Sequence, residues 1–153
     1  MCGIVGLFLK DKKLEPELGA MLTDMLVTMT DRGPDSAGIA IYGTDADGMG
    51  KLTIQSDTPE TDFSDLYQDI KKATGTKVTI RQKSTHAVLE MDESAISTVR
   101  AALSDIRPSV RVMSAGDTME IYKEVGLPKD VAERFDVSSM SGTHGIGHTR
   151  MAT

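Results

Sequence analysis

The sequence contains only one cysteine, Cys2, among its 153 residues. A single cysteine cannot form an intramolecular disulfide, and a hydrophobic content of 39% is enough for an ordinary core. Basic clusters are also missing: the longest is the KDKK segment at positions 10–13, and the net charge is −6. Binding to nucleic acids, which depends on clustered Lys and Arg, is therefore not expected.

Long apolar runs are absent as well. No segment approaches the roughly 20 apolar residues that cross a bilayer. The N-terminus also lacks the basic and apolar regions of a signal peptide. We therefore expect a soluble protein that works in the cytoplasm without contact with membranes.

The N-terminal part predicts a strand, a helix and a second strand. CGIVGLFL at positions 2–9 is apolar enough for a strand that is covered on both faces. Positions 15–36 predict a helix, because Leu and Met recur at helical spacing until Gly33 and Pro34 end it. We interpret the methionines as core residues. SAGIAIYG at positions 36–43 predicts the second strand.

The pattern changes between about residue 53 and residue 141. This stretch predicts, in order, a helix, two short strands, a second helix and two strands around the Gly116–Asp117 turn. Such an alternation is typical of a small α/β unit. We expect this unit to be inserted between elements of the main domain.

Cys2 directly follows the initiator methionine. Methionine aminopeptidase removes Met1 when the next side chain is small, and Cys2 would then become the N-terminal residue. Its α-amino group could act as the base for its own thiol, because free α-amines and thiols both titrate near ~8. The alternative is a structural cysteine buried at the start of a strand.

Three segments together resemble the class II glutamine amidotransferases, whose glutaminase domains are N-terminal-nucleophile hydrolases. They are MCGIVGLF at 1–8, DRGPDSAGIAIYG at 31–43 and GIGHTRMAT at 145–153. The family opens with Cys-Gly-Ile/Val and continues with Arg-Gly-x-Asp/Glu-Ser and Gly-His-Thr-Arg-x-Ala-Thr in the same order. The resemblance implies an α+β fold of the αββα sandwich type, with the unit at about 53–141 inserted into it.

The resemblance also implies roles for individual residues. Cys2 matches the nucleophile that releases ammonia from L-glutamine and forms a γ-glutamyl thioester. Arg150 matches the arginine that pairs with the glutamine α-carboxylate, and Thr153 matches another part of that carboxylate site. A supporting loop beside the nucleophile is formed by Arg32, Gly33, Asp35 and Ser36. No cofactor and no metal is implied.

The chain departs from the family pattern in two respects. Class II glutaminases complete their site downstream of the arginine motif with an Asn-Gly pair and an acidic residue, whereas this sequence contains no asparagine. We therefore expect residues 1–153 to be the front part of one glutaminase domain, with an exposed sheet edge and apolar surface. The stretch from Gly33 to Thr143 is also longer than in the glucosamine-phosphate synthase and amidophosphoribosyltransferase domains.

This longer spacing is more similar to the separate glutaminase subunits of glutamate-synthase-like and N-methylglutamate synthase systems. In those systems a synthase subunit receives the ammonia. Two alternatives remain: an N-terminal-cysteine amidohydrolase that acts on another amide, and a non-catalytic binding or regulatory module.

The three histidines offer little chemistry. His144 and His148 would lie about 13 Å apart along a strand, too far to share a metal ion. His86 stands alone in a strand-like segment, and we interpret it as structural.

Overall fold

The computed structural model describes residues 2–44 and 47–150. These residues form the mixed α+β fold that the sequence predicts, with two antiparallel four-stranded sheets. The chain divides into two compact units, residues 1–44 with 121–153 and residues 45–120. Within the described ranges no helix is both long and apolar enough to cross a membrane.

The described strands and α-helices are named here in chain order. They are β1 (Gly3–Phe8), α1 (Leu18–Thr28), β2 (Ser36–Tyr42), β3 (Met49–Gln55), α2 (Pro59–Asp62), α3 (Leu66–Thr74), β4 (Thr79–Lys83), β5 (His86–Asp92), α4 (Ile96–Ile106), β6 (Arg111–Gly116), β7 (Met119–Val125), α5 (Pro128–Arg134) and β8 (His144–Thr149).

The first sheet has the strand order β1-β8-β2-β7. β8 is antiparallel to both of its neighbours, so that Thr149 pairs with Gly3 of β1 and with Ala37 of β2. At the opposite end of β8, His144 pairs with Phe8 and Tyr42. The first residues of β1 and β2 therefore flank the last residue of β8.

Helix α1 packs against the glycines of β8. A Cβ atom at Gly145 would lie 2.8 Å from Leu22 Cδ2, and one at Gly147 would lie 3.1 Å from Leu26 Cδ1. Both leucines are buried. The two glycines thus let the helix approach the sheet more closely than side chains in the same places would allow.

The opposite face of this sheet carries exposed apolar side chains. Ile4 is 72%, Phe8 67% and Ile146 45% exposed. The prediction that β1 is covered on both faces is therefore wrong for the described residues. The cause is strand alternation: Ile4 and Phe8 point to the face opposite the one on which Gly3 is buried.

The second sheet has the strand order β4-β5-β3-β6, with β3 paired to both β5 and β6. The predicted helices and three of the four predicted strands form within this sheet and its helices. Gly75 ends α3 with a φ of 74°. The residues of its core come from strands and helices alike: Leu52, Ile54, Leu66, Ile70, Val78, Ala87, Leu89, Met91, Val99 and Leu103.

The second unit begins and ends earlier than the segment at about 53–141 that the sequence suggested. Strand β3 was missed, although it is central to the second sheet and begins at Met49. At the other end, β7 lies beside β2, and α5 belongs to the first unit. The two strands around Gly116–Asp117 consequently belong to different sheets.

A largely buried carboxylate organises one corner of the second unit. Asp62 accepts hydrogen bonds from the hydroxyls of Ser56, Thr58 and Ser109. The Arg107 Nε donates to the Asp62 carbonyl oxygen at 2.8 Å. The hydrogen bond from Ser56 is the main reason that the pKa of Asp62 is lowered, against the opposing effect of burial.

Replacing Asp62 by Asn should destabilise the second unit by about 1–3 kcal/mol at neutral pH, because an amide cannot accept all three hydroxyl bonds. Since the folded-state pKa is lowered, the carboxylate stabilises the fold above its ordinary value of 3.8 and loses that contribution as the pH falls. Urea unfolding at pH 7 and at about pH 2.5, below the ordinary value, measures both effects.

Asp57→Asn is the matched control. The Asp57 side chain is 75% exposed and pairs with Arg111 at the surface, so its loss should change stability by less than about 1 kcal/mol. Equal unfolding midpoints for Asp62→Asn and Asp57→Asn would contradict the assigned role of Asp62.

Candidate active site

The three motif segments meet at one end of the first sheet. Thr149 pairs with Gly3 on one side and with Ala37 on the other. Cys2, Ser36 and Arg150 adjoin these paired residues in the chain, so all three lie at this end of the sheet.

Cys2 lies at this end of the sheet and is exposed to solvent. It is an exposed free cysteine, not the buried structural cysteine of the alternative interpretation. Gly3, the next residue, is buried, and its N–H donates to Thr149 Oγ1 at 3.1 Å. The residue with the accessible thiol thus directly precedes a fixed point of the backbone.

Arg150 has an unusual backbone conformation, with a φ of 71°. Its N–H donates to the Ser36 carbonyl oxygen at 2.7 Å. The residue is exposed, and its guanidinium has no ion-pair partner in residues 2–44 and 47–150.

Gly33 explains how Arg150 is accommodated. A Cβ atom at Gly33 would lie only 2.8 Å from Arg150 Cβ and 3.2 Å from its backbone nitrogen. Only glycine leaves room for Arg150 at this distance. The loop at 32–36 and the end of β8 therefore fit together directly.

The other predicted loop residues surround this contact. Ser36 is buried at the start of β2, whereas Arg32 and Asp35 are exposed. The Asp35 carbonyl oxygen accepts a hydrogen bond from Gly126 N–H at 2.9 Å, which ties the loop to the residue after β7. Thr153 lies outside the described residues, so its predicted role is not examined by the structure.

The three histidines lie at different places and do not form a cluster. His144 stacks on Tyr42 with ring centroids 4.1 Å apart, at the far end of β8. The His148 ring lies over Gly38. His86 is buried in β5, with its Nδ1 3.1 Å from Thr85 Oγ1. Within the described ranges no group of three or more His, Cys, Asp or Glu side chains is arranged to hold a metal ion.

Two residues at the site were not singled out from the sequence. The Thr149 hydroxyl accepts a hydrogen bond from the Gly3 N–H. Met29 packs against Gly3, since a Cβ atom at Gly3 would lie 2.9 Å from Met29 Cε. In the sequence, Met29 resembles the other methionines of the helical pattern, which we interpreted as core residues. Thr149 is visible in the Gly-His-Thr-Arg motif, but its partner 146 residues away follows only from the strand register.

Comparisons with known proteins bear on the same chemistry. No known family profile matches the chain. It is 64% identical over 153 residues to the glutamine amidotransferase-like protein GlxB of Rhizobium meliloti strain 1021, covering 50% of that protein. It is 32% identical over 161 residues to a protein of Methanothermobacter thermautotrophicus that is provisionally named a glutamine amidotransferase, covering 52%.

Both similarities extend over all of this chain, which spans about half the length of these curated relatives. Both relatives carry glutamine amidotransferase names.

Replacing Gly33 by Ala should displace Arg150 and destabilise the first unit by about 1–3 kcal/mol, because the added methyl group overlaps the Arg150 Cβ. Faster hydrogen exchange at the Arg150 amide, which now bonds to Ser36, would report the displacement. Gly6→Ala is the control, since a Cβ at Gly6 meets nothing closer than the Gly145 carbonyl oxygen at 4.0 Å. Unchanged Arg150 exchange in Gly33→Ala would contradict the fit described here.

Proposed function

We propose that this chain is the nucleophile-bearing part of a class II glutamine amidotransferase, which hydrolyses L-glutamine to glutamate and ammonia. The observation that carries the proposal is the meeting of Cys2, the loop at 32–36 and Arg150 around the end of β8. The amidotransferase names of the relatives agree with it.

The proposed reaction begins after removal of Met1. The freed α-amino group of Cys2 takes the thiol proton, and the thiolate attacks the side-chain amide carbon of glutamine. The tetrahedral intermediate collapses as the C–N bond breaks, and the α-ammonium group donates its proton to the departing ammonia. Water then attacks the γ-glutamyl thioester with the α-amine as base, which releases glutamate and restores the thiol.

Arg150 is the proposed anchor of the substrate. Its guanidinium can bind the glutamine α-carboxylate through two parallel hydrogen bonds. Its exposure and lack of an ion-pair partner in the described part of the chain support this role. Thr153 is proposed to complete the carboxylate site, and Arg32, Gly33, Asp35 and Ser36 to support it.

The finer fold assignment is also a proposal. We assign the first unit to one half of an αββα sandwich, in which α1 covers one face of the sheet and a second sheet covers the other. The exposed Ile4, Phe8 and Ile146 support this assignment. Residues 45–120 are then an insertion that follows β2 and ends within the first residues of β7.

The proposed setting is a cytoplasmic complex in which this glutaminase passes ammonia to a synthase subunit. This proposal assigns the motifs at 1–8, 31–43 and 145–153 to glutamine hydrolysis and assigns no segment to an ammonia acceptor. A separate glutaminase subunit similar to those of glutamate-synthase-like systems fits this division of labour.

Replacing Cys2 by Ser in the natural polypeptide that carries this sequence should lower glutamine hydrolysis by at least about 10³-fold, because the thiolate is lost. Ammonia release from L-glutamine measures the effect. The fold should be retained, since Cys2 is exposed. Full activity of the Ser variant would overturn the proposed mechanism.

Arg150→Lys separates glutamine from other amide substrates. It should lower kcat/KM for glutamine by about 10- to 100-fold, because a charged bidentate contact is lost. Hydrolysis of an amide without an α-carboxylate should be unaffected. If both substrates respond equally, the alternative of an amidohydrolase for another amide is favoured.

Ile146→Lys tests the sandwich assignment. If a second sheet covers this face in the natural polypeptide, the buried ammonium should destabilise it by several kcal/mol, on the order of 2–4. Leu14→Lys is matched in exposure, 44% against 45% for Ile146, and lies outside the sheet. Equal thermal stability of the two variants would show that the face is open to solvent.

A further inference from the structure

Thr149 joins the nucleophile-bearing strand to the proposed substrate-binding arginine. It is the last residue of β8, it is fully buried, and Arg150 follows it directly. Its Oγ1 accepts the hydrogen bond from Gly3 N–H at 3.1 Å. One side chain therefore connects the two groups that the proposed reaction must hold at a set distance.

The bond from Gly3 has a direct consequence for Cys2. The N–H of Gly3 belongs to the same planar peptide group as the Cys2 carbonyl and Cα atoms. Holding this N–H therefore fixes the plane from which the Cys2 side chain and α-amino group project. Only rotations within Cys2 itself remain free.

Met29 also packs against Gly3. A Cβ atom at Gly3 would lie 2.9 Å from Met29 Cε and 3.0 Å from Thr149 Oγ1. Gly3 therefore has no room for a side chain, and its backbone packs closely against Met29 and Thr149. Of these two contacts, the hydroxyl of Thr149 supplies the directional one.

Such a constraint matters most at a chain terminus. Terminal residues fray unless they are tied down, and once Met1 is removed Cys2 has no preceding residue to hold it. Misplacement of a reacting group by about 1 Å can lower a rate on the order of 10²-fold.

We propose that Thr149 is a positioning residue whose hydroxyl holds the Cys2–Gly3 peptide so that the thiol and α-amine face the substrate bound at Arg150. This inference rests on the proposed glutaminase function. It adds to that function the residue that sets the geometry between nucleophile and substrate.

Thr149→Val keeps the shape and β-branching of the side chain and removes the hydroxyl, whereas Thr149→Ser keeps the hydroxyl. In the natural polypeptide, Val should lower kcat for glutamine about 10- to 100-fold with little change in KM, because binding at Arg150 is retained while the nucleophile is misplaced. Ser should stay within about threefold of the wild type, because its hydroxyl can still accept the Gly3 bond.

Thr143→Val is the matched control at the other end of the strand. Thr143 directly precedes β8, at the end away from Cys2. Its Oγ1 lies 2.9 Å from His144 Nδ1 and 3.4 Å from the Tyr42 carbonyl oxygen. Removing that hydroxyl should leave kcat unchanged. If circular dichroism shows that the Thr149→Val variant is unfolded, the Thr149→Ala variant is measured in its place.

Hydrogen exchange at the Gly3 amide separates failure of this inference from failure of the proposed function. If the wild type hydrolyses no glutamine, the proposed function fails, and exchange alone decides the role of Thr149. At least tenfold faster exchange in Thr149→Val than in Thr149→Ser supports it. Equal exchange, or equal kcat in the Val and Ser variants of an active enzyme, overturns it.

Discussion

The antiparallel pairing of β8 with both β1 and β2 is the constraint on which the site depends. A slip of one residue in this register would turn every side chain of β8 to the opposite face of the sheet. His144, Ile146 and His148 would then face α1, where Gly145 and Gly147 now admit Leu22 and Leu26. Packing of α1 on these glycines therefore selects the register, and the register brings the chain's first and last described residues together.

The strained backbone at Arg150 follows from the same arrangement. A left-handed φ in a residue other than glycine costs about 1–3 kcal/mol, and it persists only where the surroundings enforce it. Here the hydrogen bond to Ser36 and the space left by Gly33 enforce it. The second unit has a separate core, so its presence between β2 and β7 leaves the pairing of β8 intact.

Much of the local structure could be predicted from the sequence, because apolar spacing and turn residues decide it. The strands at 3–8 and 36–42 and the helix at 96–106 follow their patterns. Strand β3 was missed, since its partners β5 and β6 lie far along the chain and the preceding GTDADGMG segment resembles a long turn. Exposed apolar surface was expected, but its location on one face of β1 was not, because an almost continuous apolar run does not reveal which side chains a neighbouring layer covers.

The site could be located by motif but not assembled. Cys2, the loop at 32–36 and Arg150 were identified from their resemblance to known segments, and their meeting point required the register of β8. The Gly3–Thr149 hydrogen bond and the fit of Gly33 against Arg150 each join residues that are far apart in the chain. No single segment of the sequence therefore predicts them.

Intact mass of the natural polypeptide, before and after treatment with the glutamine analogue 6-diazo-5-oxo-norleucine, tests the central claim most directly. Loss of Met1 and one analogue adduct on Cys2, prevented by excess L-glutamine, is the predicted result. It would establish that the thiol and a glutamine site lie together at the end of β8. Retention of Met1, or a processed Cys2 that the analogue leaves unmodified, would contradict the account.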